Sequence, residues 1–381
     1  MKRRRTYALA IAATALVAGM GAARPTPSPS PTPTRSPSPS PTASPSPTAT
    51  QSDGTLQILT YRGYAEYGGI SPKVNWVGAF EKETGCRVAR LDTVQTAGEM
   101  ADRVSQRPYD VITAGPALAG DLIEAKQVQP IDPAKVSGYE DLDERFRDLG
   151  TVSGEVYGVP YLWAYDEFVY DSGKVVGGGL EQVFASSRAA LRDSPLTIAD
   201  AALAEGSAKE PYELSEAELG KAVELLARYR DRTYWQNPID LVKGFATGAL
   251  DYAQATPYYR LLLQKAGKPI KTLKTVRTTG WVDSWMLGAN VSDTTCAYRW
   301  LNWMTDPETQ RDAAAWSGMA PANDKACKGR AKEMCETYGV GDDKRLDRVV
   351  FAVRPPGGCR VEDGECTDYT TWTERWNDLK E

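Results

Sequence analysis

Residues 86–132, CRVARLDTVQTAGEMADRVSQRPYDVITAGPALAGDLIEAKQVQPID, alternate between two kinds of pattern. CRVARLDT and YDVITAG are short and rich in β-formers, which is typical of strands. AGEMADRVSQRP and ALAGDLIEAKQVQPID place apolar residues three or four positions apart, as amphipathic helices do. Strand–helix alternation of this kind predicts an α/β lobe built on a parallel sheet.

The alternation extends toward both ends of the chain. TLQILTY at 55–61 predicts an earlier strand, and SPKVNWVGAFEKETG predicts a helix that ends at Gly85. A later helix is expected to begin after Ser215, because Ser215 and Glu218 have the spacing of a capping box. Residues 154–171, GEVYGVPYLWAYDEFVYD, interrupt the rhythm and predict a hairpin that leads into a crossover between lobes.

This order predicts two α/β lobes between which the chain crosses more than once. We expect the first lobe to comprise 53–158 and 281–335, and the second to comprise 159–280 and 336–381. In open α/β sheets, ligands bind beyond the carboxyl ends of strands. TYRGYAEY, TAGPA, QATPYY and GWVDSW all lie near such ends, so we expect them to converge on a cleft between the lobes.

The first 52 residues do not have the composition of a folded domain. Residues 1–23 combine a basic start, a short apolar stretch and small residues, as export signals do. Residues 24–52 are almost entirely Pro, Ser and Thr, which predicts an extended, disordered tether. LVAGM is similar to a lipobox in which Met20 replaces the lipid-bearing cysteine. We therefore expect an exported protein, periplasmic, extracellular or at the cell surface, and either released or tethered to the membrane.

Charge and cysteine content narrow the class of protein. The formal net charge is −5, although residues 1–52 carry six basic and no acidic side chains, so the remainder is acidic and not suited to nucleic acid. An even number of cysteines, six, in an exported chain predicts disulfides. Cys327–Cys335 and Cys359–Cys366 are close in sequence, which leaves Cys86–Cys296 by elimination.

Several kinds of chemistry are excluded by what the sequence lacks. It contains no histidine, which excludes Ser-His-Asp and Cys-His catalysis and histidine metal sites. It has neither a phosphate-binding GxxxxGK[ST] motif nor a GxGxxG motif after a strand. Acids are common, but nothing marks two of them as a glycosidase pair. We expect no enzymatic activity and no cofactor or metal.

The stretch TGWVDSWML at 279–287 suggests a binding site instead. Trp281, Asp283 and Trp285 occupy alternate positions, which share one side of a strand. Aromatic rings attract an organic cation, and a carboxylate supplies its charge-assisted hydrogen bond. We therefore expect Trp281 to pack against an alkyl amine and Asp283 to bind its charged end. The alternative is that both indoles are core residues and Asp283 is a cap.

The chain from about Leu56 to its C-terminal helix resembles the spermidine/putrescine-binding proteins, the exported receptors of bacterial polyamine ABC importers. The resemblance rests on the order and spacing of GYAEYGG, FEKETGCRV, YDVITAG, YGVPYLWAYDEFVYD, GWVDSWMLGAN and AYRWLNWMTDPETQ. It implies the two-lobed type II periplasmic-binding-protein fold with an interlobe cleft. It also implies a monomer that binds a polyamine-like organic cation and delivers it to a membrane permease.

The resemblance also implies particular ligand-binding residues. The family's early aromatic pair and the acid between them fall on Tyr64, Tyr67 and Glu66, and its Trp-x-Asp falls on Trp281 and Asp283. An acid of the second lobe falls near Asp200. Other positions of the family's site are changed in this chain, and these are Ala114, Pro116, Leu203 and Thr256.

Two other functions remain open from the sequence. Tyr258 and Tyr259 in TPYYR are similar to the adjacent tyrosines of ferric-ion-binding proteins, which share the same general fold. Alternatively, one of these tyrosines caps a helix and the other faces solvent. A function of a different class is that of a secreted enzyme acting on glycosides.

Overall fold

The computed structural model describes residues 54–206, 208–229, 232–273, 277–291, 294–352 and 366–380. The predicted export signal and tether lie outside these residues. No helix in the described ranges is long and apolar enough to cross a bilayer. The strands are β1 Thr55–Tyr61, β2 Arg87–Val94, β3 Val111–Ala114, β4 Val128–Gln129, β5 Thr151–Val152, β6 Glu155–Val156, β7 Val159–Tyr165, β8 Glu167–Asp171, β9 Ala189–Arg192, β10 Thr233–Trp235, β11 Tyr252–Ala255, β12 Ile270–Thr272, β13 Thr278–Gly288, β14 Ala320–Pro321 and β15 Val349–Phe351.

The helices pack around the two main sheets that these strands form. They are α1 Trp76–Thr84, α2 Ala97–Gln106, α3 Pro116–Glu124, α4 Glu144–Leu149, α5 Leu180–Phe184, α6 Thr197–Glu205, α7 Glu216–Ala227, α8 Ile239–Thr247, α9 Pro257–Lys265, α10 Thr294–Thr305, α11 Pro307–Ser317, α12 Lys332–Tyr338, α13 Asp343–Leu346 and α14 Tyr369–Asp378.

The larger sheet has the strand order β14-β7-β13-β3-β1-β2, with β15 and β4 also paired to β13. β1 runs parallel to β2 and β3, as the strand–helix alternation predicts, whereas β13 runs antiparallel to β3 and β7. One apolar cluster against this sheet contains Phe80, Trp163, Trp285 and Trp300, and a second contains Met286. The sheet is therefore buried between two apolar layers.

The smaller sheet has the strand order β10-β9-β11-β8-β12. β9 runs parallel to both β10 and β11, so the carboxyl ends of these three strands lie at one edge. The edge carries Arg192 at the end of β9, Trp235 at the end of β10 and Gln254 near the end of β11. The parallel-sheet rule makes this edge a place to look for a ligand site.

The chain crosses between the sheets next to Asp166. β7 belongs to the larger sheet and β8 to the smaller one, so 154–171 contains the predicted crossover. The hairpin lies just before this crossover and consists of β5 and β6, which pair with each other. β7 and β8 form no hairpin, because they join different sheets. The sequence boundaries put β7 and β15 in the second lobe, whereas strand pairing puts both in the larger sheet. We propose lobe boundaries that follow the sheets, with the crossover at Asp166.

Disulfides tie the larger lobe together. Cys86 bonds to Cys296 with a Cα–Cα distance of 5.8 Å, and Cys327 bonds to Cys335 at 5.7 Å. Both pairings were predicted from the sequence and are confirmed. Cys366 is also disulfide-bonded. Its predicted partner, Cys359, lies outside the described residues.

Candidate ligand-binding site

β13 brings Trp281 and Asp283 to the region between the two sheets. Asp283 is 5% exposed, and its Oδ2 accepts a hydrogen bond of 2.5 Å from the Tyr64 hydroxyl. On its other side, a Cβ added to Gly115 would lie 2.9 Å from Asp283 Oδ1, so glycine lets the chain after β3 come this close. The Asp283 carboxylate is therefore enclosed on two sides by elements of the larger sheet.

Trp285 does not join this site. The pairing of β13 with β7 shifts by one residue between Asp283 and Ser284. Beyond the shift, Trp285 is fully buried, and its ring packs against Tyr161 and Trp300. Trp285 is therefore a core residue, as the alternative interpretation of this stretch allows, and Trp281 is the indole that accompanies Asp283.

The pKa of Asp283 is raised to about 6. Burial is the largest cause, because a low-dielectric environment disfavours the charged form. Hydrogen bonds from Tyr64 and Trp281 and the nearby charge of Arg192 act in the opposite direction. At neutral pH this carboxylate is therefore mainly ionised, even though it is almost completely removed from water.

The sequence analysis did not identify Arg192, which covers Trp281. The Arg192 guanidinium carbon lies 4.1 Å from the centre of the Trp281 ring and 4.8 Å from that of Trp235. One guanidinium nitrogen forms an ion pair of 2.5 Å with Oδ1 of Asp166, which is 3% exposed. The smaller sheet thus supplies a cation that is held between two indoles at the crossover.

Asp200, the expected acid of the second lobe, is part of a buried network next to this pair. Its carboxylate accepts hydrogen bonds from Gln254 Nε2 at 2.8 Å and from the Thr279 hydroxyl and backbone N–H at 2.7 and 3.1 Å. Gln254 also donates to Asp166. Asp200 is fully buried. It connects α6, on which it lies, to β11 and to the start of β13. These hydrogen bonds tie Asp200 to residues next to the crossover, and its predicted contact with a ligand stays a prediction.

The Asp200 network predicts a pH dependence of stability. Burial, and next the charge of Asp166, raise the pKa of Asp200 to about 8. In the unfolded chain the pKa of an aspartate is about 4, so between about pH 4 and 8 the folded state binds the extra proton. The stability contribution of this group therefore falls as pH rises through that window. Asp200→Asn is expected to become progressively more stable than the wild type from pH 5 to 8.

Urea unfolding of both proteins at several pH values measures this difference. Asp240 on α8 offers a control, because Asp240→Asn makes the same substitution at an exposed carboxylate. A difference between Asp200→Asn and the wild type that stays constant with pH would contradict a raised pKa.

The other sequence-predicted site residues are distributed differently. The Glu66 carboxylate accepts a hydrogen bond of 3.4 Å from Trp316 Nε1 on α11. Tyr67 is 40% exposed and donates to Glu81 and to the Val88 carbonyl, between α1 and β2. The structure therefore brings Tyr64, Trp281 and Asp283 together. It places Glu66 against α11 and Tyr67 between α1 and β2.

The adjacent tyrosines at the start of α9 pack close to each other, with ring centroids 5.3 Å apart. The Tyr258 ring packs over Gly318, where an added Cβ would approach it to 2.3 Å. Burial raises the pKa of Tyr259 to about 12. The ferric alternative is tested by none of the described contacts and stays a prediction.

The sequence analysis missed two residues, Arg192 and Trp235, although both lie where ligands are expected to bind at a parallel sheet. Arg192 and Trp235 each end a strand of the smaller sheet, and ligands bind beyond such ends. AALRD and TYWQ are too short to stand out as strands by periodicity alone. The parallel pairing of β9 with β10 and with β11 is what shows that their ends share an edge.

Comparison with known proteins identifies the family and the fold of this chain. A family model described as bacterial extracellular solute-binding protein matches residues 75–334. The spermidine/putrescine ABC transporter substrate-binding protein PotD from Streptococcus pneumoniae has a similar structure, with a TM-score of 0.65 at 16% identity, covering 86% of this chain and 99% of that one.

Two further solved structures are similar over the same share of this chain, 86%. The periplasmic-binding protein MotA from A. tumefaciens B6, in complex with glucopine, gives a TM-score of 0.65 at 18% identity and is covered over 100% of its length. The Atu4243 GABA receptor gives 0.66 at 17% identity and 98% coverage. These similarities establish a two-lobed α/β periplasmic-binding-protein fold, and the matched family is one of binding proteins that are not enzymes. The chain belongs to the bacterial extracellular solute-binding proteins.

Proposed function

We propose that this protein is the solute receptor of an ABC importer and that it binds a small organic amine of the polyamine type between its two lobes. The observation that carries the proposal is the position of Asp283, whose buried carboxylate accepts a hydrogen bond from Tyr64 and lies on the same strand as Trp281. This carboxylate is mainly ionised at neutral pH, and none of the described residues forms an ion pair with it. A buried charge without a counter-ion is costly, and an ammonium ligand would supply one.

Aromatic side chains around Asp283 also support an amine. The Tyr64 ring lies 5.5 Å from the Tyr61 ring and 5.7 Å from the Tyr161 ring, in edge-to-face arrangements. Trp281 lies on the same strand as Asp283, two residues earlier. Rings of this kind attract an ammonium through their negatively charged faces, by about 0.5–2 kcal/mol each. The amine would contact Tyr64, Trp281 and Asp283. Glu66, two residues after Tyr64, would add negative charge.

The biological setting of the proposal rests on the family and on its relatives. The family is extracellular, which agrees with the export signal predicted at 1–23. One structural relative is a spermidine/putrescine transporter protein, which supports both an amine ligand and a permease partner. Whether residues 24–52 tether the receptor to the membrane stays a prediction.

Calorimetric titration tests the proposal directly. Purified protein is first freed of retained small molecules, which native mass spectrometry checks, and is then titrated with polyamines, choline-like amines and basic amino acids. We expect at least one of these amines to bind at micromolar or lower concentration. If none of them binds, the amine-receptor function is wrong.

A further inference from the structure

Arg192 brings a positive charge to the aromatic side chain expected to cover the ligand. Its guanidinium stacks on Trp281, the ring expected to cover the alkyl chain of the amine. Trp281 also donates to Asp283, so a fixed cation and a fixed anion contact the face and the edge of one indole. A polyamine carries only positive charges, so it would leave the Arg192 guanidinium without a ligand contact.

The Arg192 guanidinium is only partly used by the protein. Asp166 forms an ion pair with one terminal nitrogen of Arg192. Within the described part of the chain, Arg192 Nε is buried without a hydrogen-bond partner. The side chain remains 24% exposed. Arginine has five N–H donors in a planar fork that fits a carboxylate, and one aspartate does not satisfy them all.

We propose that Arg192 makes this site select amines that also carry a carboxylate, with the ligand's ammonium at Asp283 and its carboxylate at Arg192. The inference rests on the proposed function, because it adds a second contact to the same ligand. Trp281 separates the two charges by about one ring, which suits a compact zwitterion. Asp166 and Trp235 hold the guanidinium in place on the smaller sheet. Such a ligand would bridge the two lobes through a charged contact on each.

Matched pairs of ligands isolate the contribution of the carboxylate. Putrescine and ornithine, cadaverine and lysine, and agmatine and arginine each differ only by a carboxylate on one carbon. Calorimetric titration of the wild type with all six is expected to show at least a tenfold preference for the amino acid in at least one pair. Arg192→Gln is expected to bring that ratio close to one, and Arg192→Lys to retain part of it.

Two further variants control for stability and for charge elsewhere. Arg192→Gln leaves Asp166 buried without its cation, so the double variant Asp166→Asn/Arg192→Gln removes both charges and should lose the preference in the same way. Arg188 forms a comparable pair with Asp251 away from the indoles, with an Nε–Oδ2 distance of 2.7 Å. Arg188→Gln should keep the wild-type preference.

The outcomes separate this inference from the proposed function. If the wild type binds the amines as tightly as the amino acids, or if Arg192→Gln keeps a tenfold preference, Arg192 does not select a carboxylate, and the amine-receptor function stands. If no member of any pair binds, both the inference and the amine-receptor function are wrong.

Discussion

Replacing Asp283 with asparagine is expected to lower the affinity for the amine ligand at least a hundredfold. The substitution keeps the shape of the side chain, and Tyr64 can still donate to its oxygen, as it does to Asp283 at 2.5 Å. What is lost is the negative charge opposite the ammonium. Leaving an ammonium buried without that charge costs several kcal/mol, and each factor of ten in affinity corresponds to about 1.4 kcal/mol.

The same variant predicts a change in pH dependence. Because burial raises the pKa of Asp283 to about 6, the wild type should bind the amine roughly tenfold more weakly at pH 5 than at pH 7. The amine stays charged over this range, so Asp283→Asn should show no such loss. Titration at both pH values measures both effects.

A second tyrosine–aspartate pair provides the matched control. Tyr109 donates to Asp92 Oδ2 at 2.7 Å, between β2 and the segment before β3. Asp92→Asn removes the same charge from the same kind of hydrogen bond at a distance from Trp281, and it should bind like the wild type. An Asp283→Asn protein that binds its amine unchanged would show that Asp283 is not the counter-charge.

Local features of the fold could be predicted from the sequence because their causes are local. α1 ends at Gly85, which adopts a left-handed conformation with φ of 73° and donates its N–H to Glu81, as its position after KET indicates. α7 begins with the predicted capping box, in which Ser215 and Glu218 bond to each other's backbone. These interactions involve residues within four positions of each other, so the sequence pattern contains all of the participants.

Strand membership could not be predicted in the same way. β7 and β8 are separated by a single residue, Asp166, and have similar apolar sequences, yet they belong to different sheets. The pairing of β15 with the start of β13 joins residues about 70 positions apart. Long-range pairing of this kind depends on which edges and apolar faces remain free after the rest has packed, which no short window of sequence describes.

The candidate site was predicted in part for a related reason. Trp281 and Asp283 lie on one strand, and alternation alone puts them near each other. Arg192 reaches the same place from the smaller sheet, where its position depends on the parallel pairing of β9 with β10 and β11. The charge that most alters the chemistry of the site therefore comes from an element whose neighbours the sequence does not reveal.

Removing the Cys86–Cys296 disulfide is expected to cause the largest loss of stability. The bond joins residues 210 positions apart, and both cysteines are almost fully buried, between α1 and β2 on one side and in α10 on the other. In the chain-entropy model, cross-linking so long a loop lowers the conformational entropy of the unfolded chain. This stabilises the folded state by about 5 kcal/mol. The Cys86→Ala/Cys296→Ala protein should therefore unfold at a clearly lower urea concentration than the wild type.

Cys327–Cys335 tests whether loop length is the cause. It has nearly the same Cα–Cα distance, 5.7 Å, but closes a separation of only 8 residues, for which the same model gives roughly 2–3 kcal/mol. Cys327→Ala/Cys335→Ala should therefore lose about half as much free energy of unfolding. Equal losses in the two double variants would show that native packing around the sulfurs, rather than the unfolded chain, determines the effect. Because both bonds lie in the larger lobe and away from Arg192 and Asp283, amine affinity measured on the folded variants should stay at the wild-type value.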